Sequence, residues 1–505
     1  MIRRAKLREF RVVLYYVGLV VLSLAGLMLI PLFTALVRAE WGVAVDFIIS
    51  AGIAATIGFL LLLQSPPGSK DLSWTLGMAA AALSWLVGML VAAVPYYLSG
   101  HWGSYLDACF DVMSGFTTTG LVLVQDLDHL ADGVNMWRHL ITWLGGQGMV
   151  VLALTFFVRG LPGAFKWYVG EAKDERLRPN VIHTARAIWY ISVTYLVVGT
   201  VVLWTVLMAE GLPPDRGLLH SIWLFMAAWS TGGFAPMSQN ILYYHSLALE
   251  IATMVFFIIG SFNFNLHWAV WRQDPREIYR NLETVTFLTT TTLFTALASW
   301  ELARTGVYPT AVTLFRKGYY SLISAHTTTG FMTTYARQFA LEWGPLAMVA
   351  ITAAMLFGGS ASSTAGGFKA VRVGLAAKSI LADIRKYLAP ESAVVSEKFH
   401  MTRDAVLEDR LSRTALTIIV LYVLAWASLV AVTSVYAPRY GWSMPAMMFE
   451  AASAMGNVGL SAGITQPAMP AVVKVAYISG MWLGRLEFFS IFVLIGWLVR
   501  GWTSR

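Results

Sequence analysis

Cysteine is nearly missing. Cys109 stands alone in 505 residues, which excludes an intrachain disulfide framework and any cysteine-rich metal site. It lies in an apolar stretch, a poor setting for thiol chemistry. The nine histidines show no metal-ligand spacing. Charge is scarce too: Asp, Glu, Lys and Arg form 13% of the chain, against about a quarter of an average soluble domain. The shortage runs along the whole length, so one membrane anchor does not explain it. A cluster of His, Asp, Glu or Cys at membrane depth, which a membrane-embedded enzyme would need, is also missing. Nothing in the chain binds nucleotide by motif.

Apolar sequence takes the place of charge, at 57% of residues and a mean hydropathy of +0.64. A helix crossing roughly 30 Å of hydrocarbon needs about 20 apolar residues. The windows 12–37, 44–63, 188–208 and 416–435 all qualify. The first is too long for a signal-peptide core and lacks a cleavage site, so it reads as a retained helix.

The net charge of +8 is gathered into particular loops, which fits membrane topology better than nucleic-acid binding. Basic residues fill Arg3–Arg8 and the stretch 159–186, with Arg159, Lys166, Lys173, Arg176, Arg178 and Arg186. They recur at Arg272, Arg276 and Arg280, at Lys378, Arg385 and Lys386, and from Arg500 to Arg505. The segment 125–133 carries Asp126, Asp128 and Asp132 instead. If the basic segments and both termini are cytoplasmic, the acidic segment falls outside. That sorting works only if each repeating unit contains a short helix that enters and leaves on one face.

Two N-terminal helices precede a unit that recurs four times: a long apolar span, a shorter semi-polar helix ending in small residues and glycine, then another apolar span. The units run about 72–158, 186–271, 283–386 and 412–500. The corresponding division is an N-terminal extension 1–66 and repeats 67–170, 171–276, 277–395 and 396–505, the third with an interrupted second span and a cytoplasmic connection. The expected fold is an all-α polytopic membrane protein with four pseudo-symmetric helix–pore-helix–helix repeats around one ion pore.

Four eleven-residue windows align without gaps. They are Asp111-Val-Met-Ser-Gly-Phe-Thr-Thr-Thr-Gly-Leu121, Leu224-Phe-Met-Ala-Ala-Trp-Ser-Thr-Gly-Gly-Phe234, Ser321-Leu-Ile-Ser-Ala-His-Thr-Thr-Thr-Gly-Phe331 and Glu450-Ala-Ala-Ser-Ala-Met-Gly-Asn-Val-Gly-Leu460. Each has glycine at the tenth place: Gly120, Gly233, Gly330 and Gly459. Irregular backbone at membrane depth survives only where it is buried in protein or lines a watery cavity. A half-helix followed by an extended stretch meets that condition at a pore axis. Glycine keeps the axis clear, and carbonyl oxygens replace a cation's hydration shell. Hydroxyls of Thr117, Ser230 and Thr327 add oxygens, and the helix C-termini favour positive charge.

The candidate ion-binding residues are therefore Thr117, Thr118, Thr119 and Gly120; Ser230, Thr231, Gly232 and Gly233; Thr327, Thr328, Thr329 and Gly330; and Gly456, Asn457, Val458 and Gly459. The run Thr289–Thr292 lacks a glycine and lies inside a long span, so it reads as helix packing. Asp111 and Glu450 share the first place of their windows. They either hydrogen-bond backbone behind the filter or are solvated near the outer vestibule, and both readings stand.

These windows resemble the selectivity-filter segments of the Trk/Ktr/HKT superfamily, closest to its TrkH type, over nearly the whole chain. Trp143-Leu-Gly-Gly-Gln-Gly-Met149 and Gly484-Arg-Leu-Glu487 match the family style as well. The resemblance implies potassium uptake across a bacterial inner membrane, with K+ as transported ion and no organic cofactor. Glycine at the place of Gly120 goes with potassium in that family. It further implies a homodimer in membrane lipid and a cytoplasmic nucleotide-binding regulatory subunit of the TrkA/KtrA type, with no nucleic acid.

The small-residue run Gly358, Gly359, Ser360, Ala361, Ser362, Ser363, Thr364, Ala365, Gly366 and Gly367 is a poor helix. It lacks the Gly-x-x-x-x-Gly-Lys-Ser/Thr pattern of a phosphate loop. By resemblance it is a gate beneath the filter, departing at Ala361, where the family often has cysteine. Arg485, ionisable amid apolar residues, needs a partner away from Glu487, and the gate's carbonyls offer one. The alternative function is a secondary transporter of another monovalent cation or small solute. Inverted halves would mark it, whereas here four units share one orientation.

Overall fold

A computed structural model describes residues 2–64, 73–124, 126–148, 151, 181–271, 275–390, 396–401 and 404–503. Met149, the basic stretch 159–178, Arg272 and Arg505 lie outside the described residues. Helix dominates the described residues; the strand pair among them is a small antiparallel hairpin of Lys398–His400 with Asp404–Val406.

Among the described residues, five helices are long and apolar enough to cross a membrane: Arg8–Val37, Trp41–Leu62, Trp74–Leu98, Thr184–Ala209 and Asp409–Ser434. Large apolar side chains such as Trp41, Ile48, Phe59, Val197, Leu293 and Leu424 face outward. A surface of that kind is stable against lipid rather than water, so the protein is multi-pass. The two N-terminal helices cross closely at glycine. A Cβ on Gly18 would lie 2.8 Å from the Leu61 Cβ, and one on Gly58 would lie 3.0 Å from the Leu22 nitrogen.

Between the spans sit four shorter helices: Tyr105–Phe116, Pro214–Trp229, Tyr320–His326 and Met444–Gly456. Local sequence starts each one. The Ser104 hydroxyl accepts the Asp107 N–H at 3.2 Å, and Ser443 accepts that of Ala446 at 3.4 Å. Pro214 supplies a preset φ at the first helical position. The third is fed by the turn Ala311–Thr313, boxed by Thr310, and by the π-turn Leu314–Tyr319.

Among the described residues, the spans that follow the second, third and fourth of these helices are broken. The third unit stops at Phe357 and resumes at Ala370, as its small-residue run suggests. The other breaks are ones that the sequence reading did not foresee. Leu247–Gly260 bends by 99° into Phe264–Trp271, and Ala471–Leu486 bends by 113° into Phe489–Val499. The last span is therefore not continuous through Gly484–Glu487; Glu487 and Phe488 take left-handed φ values of 53° and 71°. Close approach is the cause. A Cβ on Gly145, Gly260 or Gly484 would collide with the backbone carbonyl of Phe116, Trp229 or Met455, at the end of the short helix of the same unit.

Candidate ion pathway

Each short helix closes with one hydrogen-bond pattern. In the first, Thr118 N–H returns to Gly115 O at 3.0 Å and Thr119 N–H to Ser114 O at 2.7 Å. The second repeats it from Thr231 to Ala228 (3.0 Å) and Gly232 to Ala227 (2.8 Å). The third uses Thr328 to Ala325 (3.1 Å) and Thr329 to Ser324 (2.8 Å), and the fourth Asn457 to Ala454 (3.4 Å) and Val458 to Ser453 (2.9 Å). This paired closure is a Schellman cap, which requires one left-handed residue. Thr118, Thr231, Thr328 and Asn457 fill that place with φ of 56°, 49°, 55° and 55°. For a β-branched threonine this costs ~1–3 kcal/mol, strain that persists only where the surroundings impose it.

Two residues later come Gly120, Gly233, Gly330 and Gly459, with φ of 90°, 62°, 83° and 97°. Each abuts the next segment. A Cβ on Gly120 would fall under 3.0 Å from Gly232 O, one on Gly233 from Thr329 O, one on Gly330 from Val458 O, and one on Gly459 from Thr119 O. The contacts run from first to second, third and fourth segment and back to the first. They close a ring of backbone that admits no side chain. Thr117–Thr119, Ser230, Thr231, Thr327–Thr329, Asn457 and Val458 are all fully buried around it.

The hydroxyls of Thr117, Ser230 and Thr327 donate back to the helix carbonyls of Met113, Met226 and Ile323 at 2.7, 2.6 and 2.8 Å. Their hydrogens are thus engaged, and only lone pairs remain to face a cation. Thr117 also meets Thr119, and Thr327 meets Thr329, each pair at 2.8 Å. Gly456 lies at the fourth helix end, where a Cβ would press on Met355 O.

Asp111 and Glu450 both hold backbone behind the ring, and both are fully buried. Asp111 accepts from Leu123 N (2.7 Å), Val124 N (3.4 Å) and Trp102 Nε1 (2.8 Å). Glu450 accepts from Ala462 N (2.7 Å), Thr465 N (3.0 Å), Ser461 Oγ (2.8 Å) and Thr465 Oγ1 (2.5 Å). The vestibule reading of these carboxylates is set aside by that geometry.

The segment Gly358–Gly367 docks directly under the ring and touches all four units. Thr364 Oγ1 donates to Gly260 O (2.8 Å) and Trp229 O (3.1 Å) and lies 3.2 Å from Thr231 Oγ1, while its carbonyl faces Thr118 Oγ1 at 3.4 Å. Gly366 N–H donates to Thr328 Oγ1 at 2.7 Å, and a Cβ on Gly366 would strike Gly456 O. Ser360 N–H reaches Ser261 O at 3.0 Å, and the Ser363 hydroxyl closes on Ser360 O at 2.6 Å. Gly358 and Gly367 pack against each other with positive φ, and Gly359 and Ala365 are in contact range. Arg485 clamps the segment from the last span: Nη1 donates to Thr364 O at 2.6 Å and Nη2 to Gly145 O at 2.7 Å.

Sequence reasoning missed several participants. Glu283 accepts the Ala361 N–H at 2.7 Å, tying the small-residue segment to the start of the third unit. Lys369 is buried at φ 72° with its ammonium on Ala365 O, and Glu487 pairs with Arg372. Their signal is charge at the edges of an apolar break, as in Gly366-Gly-Phe-Lys369. A cavity of about 400 Å³ opens beside Ala361 and Ser362, lined also by Arg372, Phe399, Ile418 and Glu487. The threonine run is mostly packing, as read: Thr289 and Thr292 bond their own helix. Thr290, however, meets His326 Nε2 of the third short helix at 2.8 Å.

The profile of the TrkH family, described as a cation transport protein, matches residues 52–498. An uncharacterized cation transporter of Methanocaldococcus jannaschii is 28% identical over 97% of this chain and 96% of its own length. The Trk system potassium uptake protein TrkH of Halomonas elongata is 30% identical over 96% of this chain and 98% of its own. The crystal structure of the potassium transporter TrkH from Vibrio parahaemolyticus superposes with a TM-score of 0.80 at 24% identity, covering 96% of this chain and 98% of the other.

Proposed function

Because the chain belongs to the TrkH family of cation transport proteins, we propose that it takes up potassium across the bacterial inner membrane through the four-segment ring. The observation that carries this reading is the closed circuit of glycines, each set against the carbonyl of the next segment. Such a ring offers a dehydrated cation neutral oxygens at fixed spacing, and it leaves no room for the side chain that would block it. The filter residues are Thr117–Gly120, Ser230–Gly233, Thr327–Gly330 and Gly456–Gly459. The chain acts as a transporter and not as an enzyme, with K+ as its cargo.

Beneath the ring, Gly358–Gly367 is the gate and Arg485 its latch. The guanidinium binds the loop and a neighbouring unit at once, and its charge repels a cation leaving the filter. The cavity beside Ala361 and Ser362 is the space into which the loop withdraws. The protein works as a homodimer in lipid, with both termini cytoplasmic and a TrkA/KtrA-type subunit acting on the gate. The relatives named as parts of a Trk system favour that assembly.

The test is growth rescue of a potassium-uptake-deficient bacterium at low external potassium, paired with rubidium uptake by purified protein in liposomes. Rescue and rubidium uptake are expected. Folded protein that moves neither ion, or that prefers an organic solute, would reject the proposal.

A further inference from the structure

Arg138 sits in the second helix of the first unit, Asp132–Gln147, and is 1% exposed. Nη1 donates to Asn135 Oδ1 at 3.0 Å and to Ala235 O at 3.3 Å, and the guanidinium carbon lies 4.7 Å from the Phe234 ring centroid. Phe234 and Ala235 directly follow Gly233, so Arg138 grips the outer end of the second filter segment. Its Nε and Nη2 have no protein acceptor. Asp111 does the matching work on the first segment through Leu123 and Val124.

The helices that carry Asp111 and Arg138 touch one turn further on, where a Cβ on Gly115 would lie 2.8 Å from Ile141 Cδ1 and 3.1 Å from the Phe234 ring that Arg138 covers. The two groups are thus close enough to act on each other without a direct hydrogen bond, with Tyr96 in the same reach. Tyr96 stacks on Trp102, the indole that donates to Asp111, at a centroid distance of 4.1 Å, and its hydroxyl also lacks a protein partner. Buried donors without a protein acceptor are satisfied by enclosed water. Glu450, at the equivalent place of the fourth unit, is held by hydroxyls and backbone, with no Arg or Lys among its bonded partners.

We propose that Arg138 and Asp111 form one positioning unit, a water-bridged charge pair that fixes the outer ends of the first and second filter segments against each other and so sets the preference for potassium over sodium. It rests on the reading of these segments as the filter. The pair spans two units that backbone contact alone would leave free to splay.

The experiment measures rubidium uptake and its competition by sodium in liposomes. Variants are Arg138→Gln, Arg138→Lys, Asp111→Asn, Glu450→Gln and the double changes, each checked for monodispersity. Arg138→Gln and Asp111→Asn are each expected to lower the rubidium-over-sodium preference about tenfold, and their double change to be no worse than the worse single one. Arg138→Lys, which keeps the charge and loses the fork, recovers part of the loss. Arg138→Gln with Glu450→Gln should multiply. If Arg138→Gln fails to fold, Arg138→Lys with Asp111→Asn carries the same comparison. Unchanged preference in the Arg138 and Asp111 variants, or effects that multiply, would overturn the pairing. Gly330→Ser separates the two claims: if it alone shifts preference the filter stands and the pairing falls, and if it is silent the filter reading itself has failed.

Discussion

Thr118, Thr231 and Thr328 adopt a backbone shape that threonine avoids, and their hydroxyls turn toward Thr364 and Gly366. Strain and contact are separable by substitution. Thr328→Gly relieves ~1–3 kcal/mol of strain and loses the hydrogen bond to Gly366, worth ~0.5–1.5 kcal/mol. The expected outcome is a melting temperature equal to or above wild type together with increased basal rubidium flux; a lower flux would show that the hydroxyl serves the ion and not the gate. Thr291→Ala should leave ion preference unchanged, since that buried hydroxyl has no partner, whereas Thr290→Val disturbs His326. Asp107 pairs with Lys474 at 2.5 Å and both side chains are 8% exposed. Asp107→Asn leaves a buried ammonium without its counter-charge, with only neutral acceptors such as Pro467 O (2.8 Å), at up to ~3–5 kcal/mol, a loss expected in a thermal melt of detergent-solubilised protein. The ring glycines were legible because four windows align on them. Arg138 was not, because one arginine in an apolar helix does not reveal what it faces.

At the scale of elements, the run Gly358–Gly367 shows what composition conveys and what it omits. Ten small residues announced a broken span, and Arg485 announced a bond to its carbonyls, but nothing announced that the break would also be stapled at Ser261, Glu283 and Thr328. The bends after Gly260 and Leu486 were not read from the sequence, although polar residues mark each break, Ser261 and Asn263 at the first and Arg485 and Glu487 at the second; what these residues do not reveal is the collision at the lone glycine of each contact. Arg485→Ala, or deletion within 360–365, is expected to raise rubidium flux several-fold and to weaken control by a cytoplasmic partner. Equal flux and equal partner sensitivity would remove both from the gate. The hairpin gives a pH dependence. His400 lies between Glu277 (3.0 Å) and Asp404 (2.6 Å), and these hydrogen bonds, Glu277 first, raise its pKa above the ordinary histidine value while lowering that of Asp404. The charged imidazole's contribution is complete below the unfolded histidine pKa and disappears as pH rises through the raised folded value. Amide exchange across 396–406, corrected for intrinsic rate, should therefore quicken over that rise, and His400→Gln should flatten the dependence.

For the whole molecule, the charge pattern and the ring make one claim: four like-oriented units close around a single path. The orientation is testable with single cysteines in a Cys109→Ser background. The exposed positions 126, 128 and 129 are expected to react with an impermeant label from outside, and positions 276–280 only from inside; labelling of both from one side would refute the arrangement. The most direct test of the central claim is the potassium-to-sodium permeability ratio of Gly330→Ser in liposomes. A Cβ there meets Val458 O across the ring. A fall of about tenfold or more, equivalent to ~1.4 kcal/mol of discrimination, in protein that remains folded is the expected result. A ratio and flux equal to wild type would contradict the ring as the ion path.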